Sequence, residues 1–456
     1  MVGDLVALHA LGPEGEYRTH KRELVSDTAG QPVAELSIVP RLFVIRSIGT
    51  QRKATPLPLQ ERAAALVLTA EAFRSSTLAG LSFEDYVTLT CRVSGLPLAV
   101  ARAGAHVVAD SVASAFEAVW PALPTGATLD WRDSPPGGGA LWARRGDVLA
   151  VHAPGNAPGV HGSWPQALAL GYRVAVRPSR REPLTAHRLV HALRQSGFRD
   201  VDALFLPTDH AGADDLVAAA DLALVYGGEA VADRYSADPT VLVNGPGRTK
   251  IAITSECDWR EHLDVIVDSV ANLGGMACVN TTAVLYEGDA APLAVAIAER
   301  LSAMVPLPNT DERATLPTMP VGTARAIAAH LGAKAAGTQP ILGAADVVAD
   351  LGDGYAALRP AVHLLTALDV DTINTELPFP CVWVTPWSRD SMGPLRNSLV
   401  ITVITEDQDL VDALVADPTI TNVYVGAHRT YSSAAHLPHD GFLADFLMRN
   451  KGFIRT

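Results

Sequence analysis

The stretch Asp147-Val-Leu-Ala-Val-His152-Ala-Pro154-Gly155-Asn156-Ala-Pro158-Gly159 decides how this chain is read. Residues 147–152 form a short apolar run of strand length. The Pro, Gly and Asn cluster behind it stops the strand and turns the chain. The same rhythm then repeats. The pattern predicts a helix over 160–170, a strand over 173–176, a helix over 184–195 and a strand over 203–206. A helix over 213–220 and a strand over 222–226 follow, the latter stopping at Gly227-Gly228, then another helix and a strand over 241–243. Strands alternating with helices at this spacing predict βαβ units. The fold class is α/β, with a parallel, Rossmann-type nucleotide-binding sheet.

Working outward, a second alternating region starts near Thr249. It has strands at 251–254, 283–286, 382–385 and 398–402, and helices at 259–273, 291–304 and 408–416. On the N-terminal side lie two β-like stretches, 33–39 and 42–48, and helical runs at 61–73 and 98–120. Turn-rich pieces at 121–127 and 134–139, the latter with Pro-Pro-Gly-Gly-Gly, read as loops or a hairpin connection. The tail mixes a strand, a loop rich in His and Ser, and a short helix over 442–448. The expected organisation is an N-terminal region (1–145), a nucleotide-binding domain (146–248), a second α/β domain (249–420) and a C-terminal arm (421–456).

A chain of 456 residues suits two or three domains. With 48% hydrophobic and 19% charged residues it is globular in composition. A net charge of −13 disfavours nucleic acid or an anionic membrane as partner. Cys91, Cys257, Cys278 and Cys381 are far apart and form no CxxC, so a zinc ribbon or disulfide scaffold is not expected. The N-terminus lacks a basic region, and no uncharged apolar run reaches the ~20 residues of a membrane span. The expectation is a cytoplasmic protein with free thiols.

HExxH, GxSxG, P-loop and EF-hand patterns are absent from the sequence. His187 and His191 are spaced i, i+4 on a helix and read as an exposed or partly buried polar face, so no metal is expected. Four segments could carry chemistry. In Asn272-Leu-Gly-Gly-Met-Ala-Cys278 a helix ends in two glycines and leads to a thiol, where converging backbone N–H groups could favour a nucleophilic thiolate. A lone Cys is more commonly a packed core residue, and this loop alone does not decide between the two. Asn156 could donate to a developing oxyanion, or be a turn residue. Arg177-Pro-Ser179-Arg180-Arg181 follows a strand at the end where nucleotides bind, and suits a phosphate or plain solvent. Gly227 and Gly228 could open a helix N-terminus to a pyrophosphate, or simply turn the chain.

Individually weak, these pieces fall in a familiar order: Pro-Gly-Asn, Val-Arg-Pro-Ser, Gly-Gly, Asn-Gly-Pro-Gly-Arg, Gly-Gly-Met-Ala-Cys, Glu-Leu-Pro-Phe-Pro. That order resembles the aldehyde dehydrogenase superfamily, and within it the acyl-CoA reductase branch that includes the long-chain acyl reductase of bacterial bioluminescence. The resemblance runs from about residue 60 to the end and is strongest over 147–286 and 371–383. Leu437-Pro-His-Asp-Gly-Phe442 resembles the family's late glycine-containing loop. Residues 1–50 fall outside it. The resemblance implies a cofactor domain, a catalytic domain and a small oligomerisation arm. It implies Cys278 as nucleophile, Asn156 in the oxyanion hole, Arg177 at the position of a cofactor-binding Lys, and Glu376 on the nicotinamide ribose. It also implies a homo-oligomer, dimer or tetramer, with 127–146 and 421–441 as candidate contact segments.

Two departures from the family pattern matter. Aldehyde-oxidising members have a Glu that activates water, where this chain has Asn244. A neutral amide takes no proton from water, so hydrolysis of an acyl-enzyme should be slow, while a thiol could still exchange with it. NAD-preferring members often have an acid shortly after the Lys; here Ser179, Arg180 and Arg181 occupy that stretch, which favours a 2′-phosphate. The expected activity is NADPH-dependent reduction of an acyl thioester to an aldehyde, with NADH as the other cofactor form. The thiol co-substrate would be CoA or a phosphopantetheine arm, and an acyl-carrier protein or acyl synthetase a candidate partner. The rival is oxidation of an aldehyde to an acid or acyl-CoA.

Overall fold

A computed structural model describes residues 5–344, 346–434 and 436–454. Two seven-stranded sheets organise it. In the first, Val241–Asn244, Leu222–Tyr226, Val148–His152, Arg173–Arg177 and Ala203–Phe205 run parallel in that spatial order. Their side chains alternate between two buried faces. Leu149 and Val151 join the core beneath the N-terminal helices, while Val148 and Ala150 join a second core on the other side. A sheet covered on both faces reads as continuous apolar runs, which is why its strands were legible. Ala10–Gly12 adds to its edge antiparallel, followed by Gly15–Tyr17. The sheet therefore draws strands from the N-terminal 50 residues as well as from 148–244.

The second sheet orders Gln339–Leu342, Ala361–Leu364, Cys381–Pro386, Ala283–Tyr286, Lys250–Ile253, Ser398–Ile404 and Ile420–Val425. All run parallel except the first, which is antiparallel to its neighbour. At the carboxyl ends of four adjacent strands, Arg389 pairs with Glu256, Glu287 and Asp407. That edge is closed by charge pairing. A third, three-stranded sheet joins Ala127–Thr128 and Gly139–Arg144 to Met448–Phe453. A cavity of about 660 Å³ lies beside it, lined among others by Arg62, Trp120, Trp142 and Arg144 and by none of the predicted site residues.

Several sequence expectations differ from the structure. Residues 42–48 are not a strand but part of the helix Arg41–Lys53. Its buried positions Val44, Ser47, Ile48 and Gln51 follow helical spacing against the first sheet, so packing overrides the β-branched composition. The helix expected over 160–170 is a 3₁₀ turn, Pro158–Gly162, and a short helix, Pro165–Ala169. The helix expected over 259–273 is a 3₁₀ turn, Trp259–His262, then Leu263–Ala271. The tail divides: Ile420–Val425 belongs to the second sheet and Met448–Phe453 to the third. The strand that pairs with Gly139–Arg144 is thus C-terminal to the 421–441 segment. His187 is buried edge-on against Phe205, not on an exposed face. Helix Val321–Lys334 and the small sheet beside it lie in a stretch that gave no sequence signal. Among the described residues no helix is long and apolar enough to cross a membrane.

Candidate active site

The predicted site residues other than Arg180 and Arg181 lie where the carboxyl edge of the first sheet faces the amino edge of the second. Asn156 follows Val148–His152, Arg177 ends Arg173–Arg177, Gly227 follows Leu222–Tyr226, and Asn244 ends Val241–Asn244. From the other side, Cys278 precedes Ala283–Tyr286, Gly247 precedes Lys250–Ile253, and Glu376 precedes Cys381–Pro386.

The loop that carries Cys278 is built by an unusual backbone run. Leu273, Gly274 and Gly275 all have positive φ, 51°, 67° and 75°. A Cβ on Gly275 would stand 2.3 Å from the carbonyl carbon of Phe379, so only glycine lets the loop lie against the segment behind Glu376. Asn280 locks the loop. Its Nδ2 donates to the carbonyls of Ser269 and Asn272, at 3.1 and 2.9 Å, and its Oδ1 accepts from Ala277 N–H at 2.7 Å. Those carbonyls lie at the end of the preceding helix, where no further turn supplies donors, and the Ser269 carbonyl also accepts from Thr281 N–H at 2.9 Å. The Cys278 carbonyl accepts from Thr249 Oγ1 at 3.0 Å, and a Cβ on Gly247 would come within 1.7 Å of that oxygen.

Cys278 is half-buried, with its sulfur open to the cleft rather than sealed in packing. Asn156 Nδ2 donates to the Met276 carbonyl at 3.2 Å, so the amide lies on the Cys278 loop from the opposite sheet. Among the described residues, Asn156 Oδ1, Asn244 Oδ1 and Arg177 Nε are buried with no hydrogen-bond partner. Glu376 Oε1 accepts from the N–H groups of Gly247 and Arg248, at 3.0 and 2.8 Å, so this carboxylate steadies the same backbone that abuts Cys278.

The three arginines do not converge. Arg180 pairs with Glu23 at 3.1 Å, and Arg181 donates to the Ser94 carbonyl at 2.9 Å. Burial, reinforced by Arg180, holds the Arg177 guanidinium below its ordinary value. Glu23 comes from strand Arg22–Ser26, far away in sequence, and brings to this loop an acid that residues 177–181 lack. Gly228 caps the short helix Glu229–Tyr235, with open space where its side chain would be.

Sequence reasoning missed two residues beside Cys278. His439 Nε2 lies 3.6 Å from Cys278 Sγ, and His439 Nδ1 lies 2.9 Å from Asp440 Oδ2. The only signal was their presence in the late loop Leu437-Pro-His-Asp-Gly-Phe442; a contact between residues 161 positions apart has no local signature. The buried Lys250 was missed for the same reason, its partner Ser398 being far off in sequence, whereas Asn280 acts locally, on Ser269, Asn272 and Ala277, and simply belongs to no motif. The other thiols stand apart from this chemistry. Cys91 and Cys381 are buried, and Cys257 is half-buried.

Among solved structures, an indole-3-acetaldehyde dehydrogenase complexed with NAD⁺ superposes with a TM-score of 0.82 at 15% identity, covering 98% of this chain and 96% of that one. Aldehyde dehydrogenase 21 from Physcomitrella patens, in complex with the reaction product succinate, gives 0.81 at 14%, with 99% and 98% covered. The aldehyde dehydrogenase KauB from Pseudomonas aeruginosa gives 0.81 at 15%, with 98% and 96% covered. At these identities the likeness establishes the fold. No curated protein sequence matches the chain. The family model for the aldehyde dehydrogenase family matches residues 47–450, and with that span of the chain accounted for, this protein belongs to the aldehyde dehydrogenase family.

Proposed function

We propose that this chain takes an acyl group from a carrier thiol onto Cys278 and reduces the resulting enzyme thioester to an aldehyde. The observation that carries this reading is Asn244. It ends its strand in the cleft as a neutral amide with a buried, unpaired Oδ1 among the described residues. A carboxylate at such a position could take a proton from water; an amide cannot. A carrier thiol ionises far more readily than water, so exchange of the acyl group with CoA or a phosphopantetheine arm needs no such base.

The cleft fits a nicotinamide dinucleotide. Arg177 Nε is a buried donor without an acceptor among the described residues, and in the Gly227-Gly228 backbone Gly228 has open space where a side chain would be, while a Cβ on Gly227 would meet Val231 at 2.6 Å. Arg177 and that backbone would hold the phosphates, and Glu376 would hold the ribose beside the nicotinamide. When bound, the cofactor supplies or accepts the hydride that links the thioester and aldehyde oxidation levels. We assign NADPH as the preferred form, with Ser179 leaving room and Arg180 exchanging Glu23 for the 2′-phosphate; NADH is the form used when that pair stays closed.

The chain's own residues do the rest. Cys278 Sγ attacks the thioester carbonyl, and the Asn156 amide turns from the Met276 carbonyl to the developing oxyanion. Gly247 and Glu376 keep the loop in register during the attack. An acyl-carrier protein or acyl synthetase would deliver the acyl group. The strands Gly139–Arg144 and Met448–Phe453 form the arm through which a homo-oligomer would assemble.

A second reading, oxidation of an aldehyde to an acid or acyl-CoA, has its own support. The solved neighbours include an indole-3-acetaldehyde dehydrogenase, and His439 stands at the nucleophile as another base. Assay in both directions separates the two. With a panel of acyl-CoAs and acyl-carrier proteins, loss of NADPH absorbance is expected in the wild type and none in Cys278→Ala. With the matching aldehyde, NADP⁺ reduction should require CoA. Equal rates without CoA, with free acid as product, would transfer the assignment to the second reading.

A further inference from the structure

The loop after Ile420–Val425 brings His439 and Asp440 to the cleft. His439 Nε2 faces Cys278 Sγ at 3.6 Å, and its Nδ1 faces Asp440 Oδ2 at 2.9 Å. An ionised carboxylate only accepts, so Nδ1 carries a proton and donates it to Asp440, leaving Nε2 to exchange a proton with sulfur. The loop is anchored rather than adrift. Asn422 Nδ2 donates to the His439 carbonyl at 2.6 Å and to the Leu399 carbonyl at 3.0 Å, tying it to the second sheet. The imidazole is not a packing residue, since half of its side chain is exposed. Nucleophile, base and orienting acid in line form the arrangement that activates a thiol.

We infer that His439, oriented by Asp440, is the acid–base residue of acyl transfer at Cys278, and that the chain therefore exchanges acyl groups between thiols with no nicotinamide bound. This rests on Cys278 being the acyl acceptor. In the resting pair the thiol proton sits on His439 Nε2. The Cys278 thiolate bonds to the acyl carbon, the bond from that carbon to the carrier sulfur breaks, and the departing thiolate takes the proton from Nε2. A second thiol reverses the sequence: its proton moves to Nε2, its sulfur bonds to the acyl carbon, and Cys278 leaves as thiolate. One thioester and one thiol yield another thioester and another thiol, with no net electron or proton.

The surroundings favour the charged imidazole. Removal from water works against it, but the bonds to Asp440 and to the sulfur outweigh that, raising His439 from 6.5 to about 10. Tyr226, on the facing strand, also senses Asp440 and Cys278; its hydroxyl bonds to Ser163 Oγ at 2.7 Å and is held neutral by burial. The bonds to Asp440 and to the sulfur thus favour the protonated imidazole, the form that can hand a proton to the departing carrier thiolate.

Two measurements on the full chain test this. The first is the rate of iodoacetamide alkylation of Cys278, followed on its peptide by mass spectrometry. The wild type should vary little between about pH 6 and 9, whereas His439→Gln should lose about tenfold or more at the acid end and recover with the slope of an ordinary thiol. Asp440→Asn should fall between them, and thermal melting shows that the variants are folded. The second is transfer of octanoyl groups from octanoyl-CoA to pantetheine without nicotinamide. Transfer is expected in the wild type, about a hundredfold less in His439→Gln, and none in Cys278→Ala. Unchanged alkylation profile and transfer rate in His439→Gln would overturn the role of His439 alone. A wild type that alkylates as an ion pair yet is never acylated would overturn the thioester reading and the exchange activity with it.

Discussion

At the scale of single residues, the proposed chemistry turns on two asparagines. Asn156 reaches the Cys278 loop from the opposite sheet and donates an N–H to the Met276 carbonyl. Its Oδ1 gains no partner among the described residues, so the burial of this amide is compensated on one side only. Replacement by Ala should slow acylation of Cys278 by 10² to 10³, about 3–4 kcal/mol, with little change in the melting temperature. Stopped-flow release of the carrier thiol would show it, and an unchanged rate would remove Asn156 from the oxyanion site. Asn244 is the converse case. Asn244→Glu should raise free-acid formation from an aldehyde without added thiol, because a carboxylate can take a proton from water. If product analysis finds no more acid than in the wild type, the position is not one from which water is activated. Asn156 was legible as a turn residue directly after an apolar strand, whereas Asn244, which ends its strand, drew notice only through the order of motifs that resembles the family. Arg180 was only half legible: its charge was plain, but its partner Glu23 comes from a strand that no local pattern links to it.

At the scale of elements, the loop 272–278 shows how a backbone conformation makes a site. Three successive positive-φ residues turn the chain between helix Leu263–Ala271 and strand Ala283–Tyr286, and Asn280 satisfies the carbonyls the turn exposes. Gly247 completes the wall, because its missing side chain is the space the Cys278 carbonyl occupies. Gly247→Ala should displace the loop, costing on the order of 2–4 kcal/mol in stability and most of the reactivity of Cys278. Urea unfolding together with alkylation kinetics would test this, and a variant with wild-type values for both would show that the wall yields. The doubled glycine of 274–275 announced a turn in the sequence. The need for Gly247 did not appear there, because the clash is with a residue thirty-one positions further on. Helix Arg41–Lys53 was misread for a related reason: Val44, Ile45 and Ile48 have β-forming composition, and only the sheet they pack on selects the helical spacing.

For the molecule as a whole, the two sheets are used in opposite senses. The first offers its carboxyl edge to the cleft, as open α/β sheets do. The second offers its amino edge, while its carboxyl edge is tied by Arg389 to three carboxylates. Lys250, fully buried at the start of a central strand, belongs to this frame. Its Nζ donates to the Arg248 carbonyl at 2.8 Å and to Ser398 Oγ at 2.7 Å. Burial, with the nearby Arg248 charge, lowers it from 10.5 to about 7 despite the opposing pull of Glu376. Between these values the unfolded chain binds the proton that the folded chain has released. Stability should therefore rise with pH from about 7 toward 10, by up to about 1.4 kcal/mol per unit from this group. Lys250→Met should remove that rise. Urea midpoints across this range would test it, and equal slopes in both proteins would show that Lys250 does not titrate there.

By itself the sequence determined the α/β class, most of the parallel strands and the order of segments around Cys278, because apolar runs and turn residues act over a few neighbouring positions. Only the tertiary structure decided that Glu23 reaches Arg180, that Gly247 must be bare, that Lys250 is buried, and that His439 and Asp440 stand at the sulfur. Each of these depends on distances between residues far apart in the chain, and such distances are set by how the two sheets meet rather than by any local pattern.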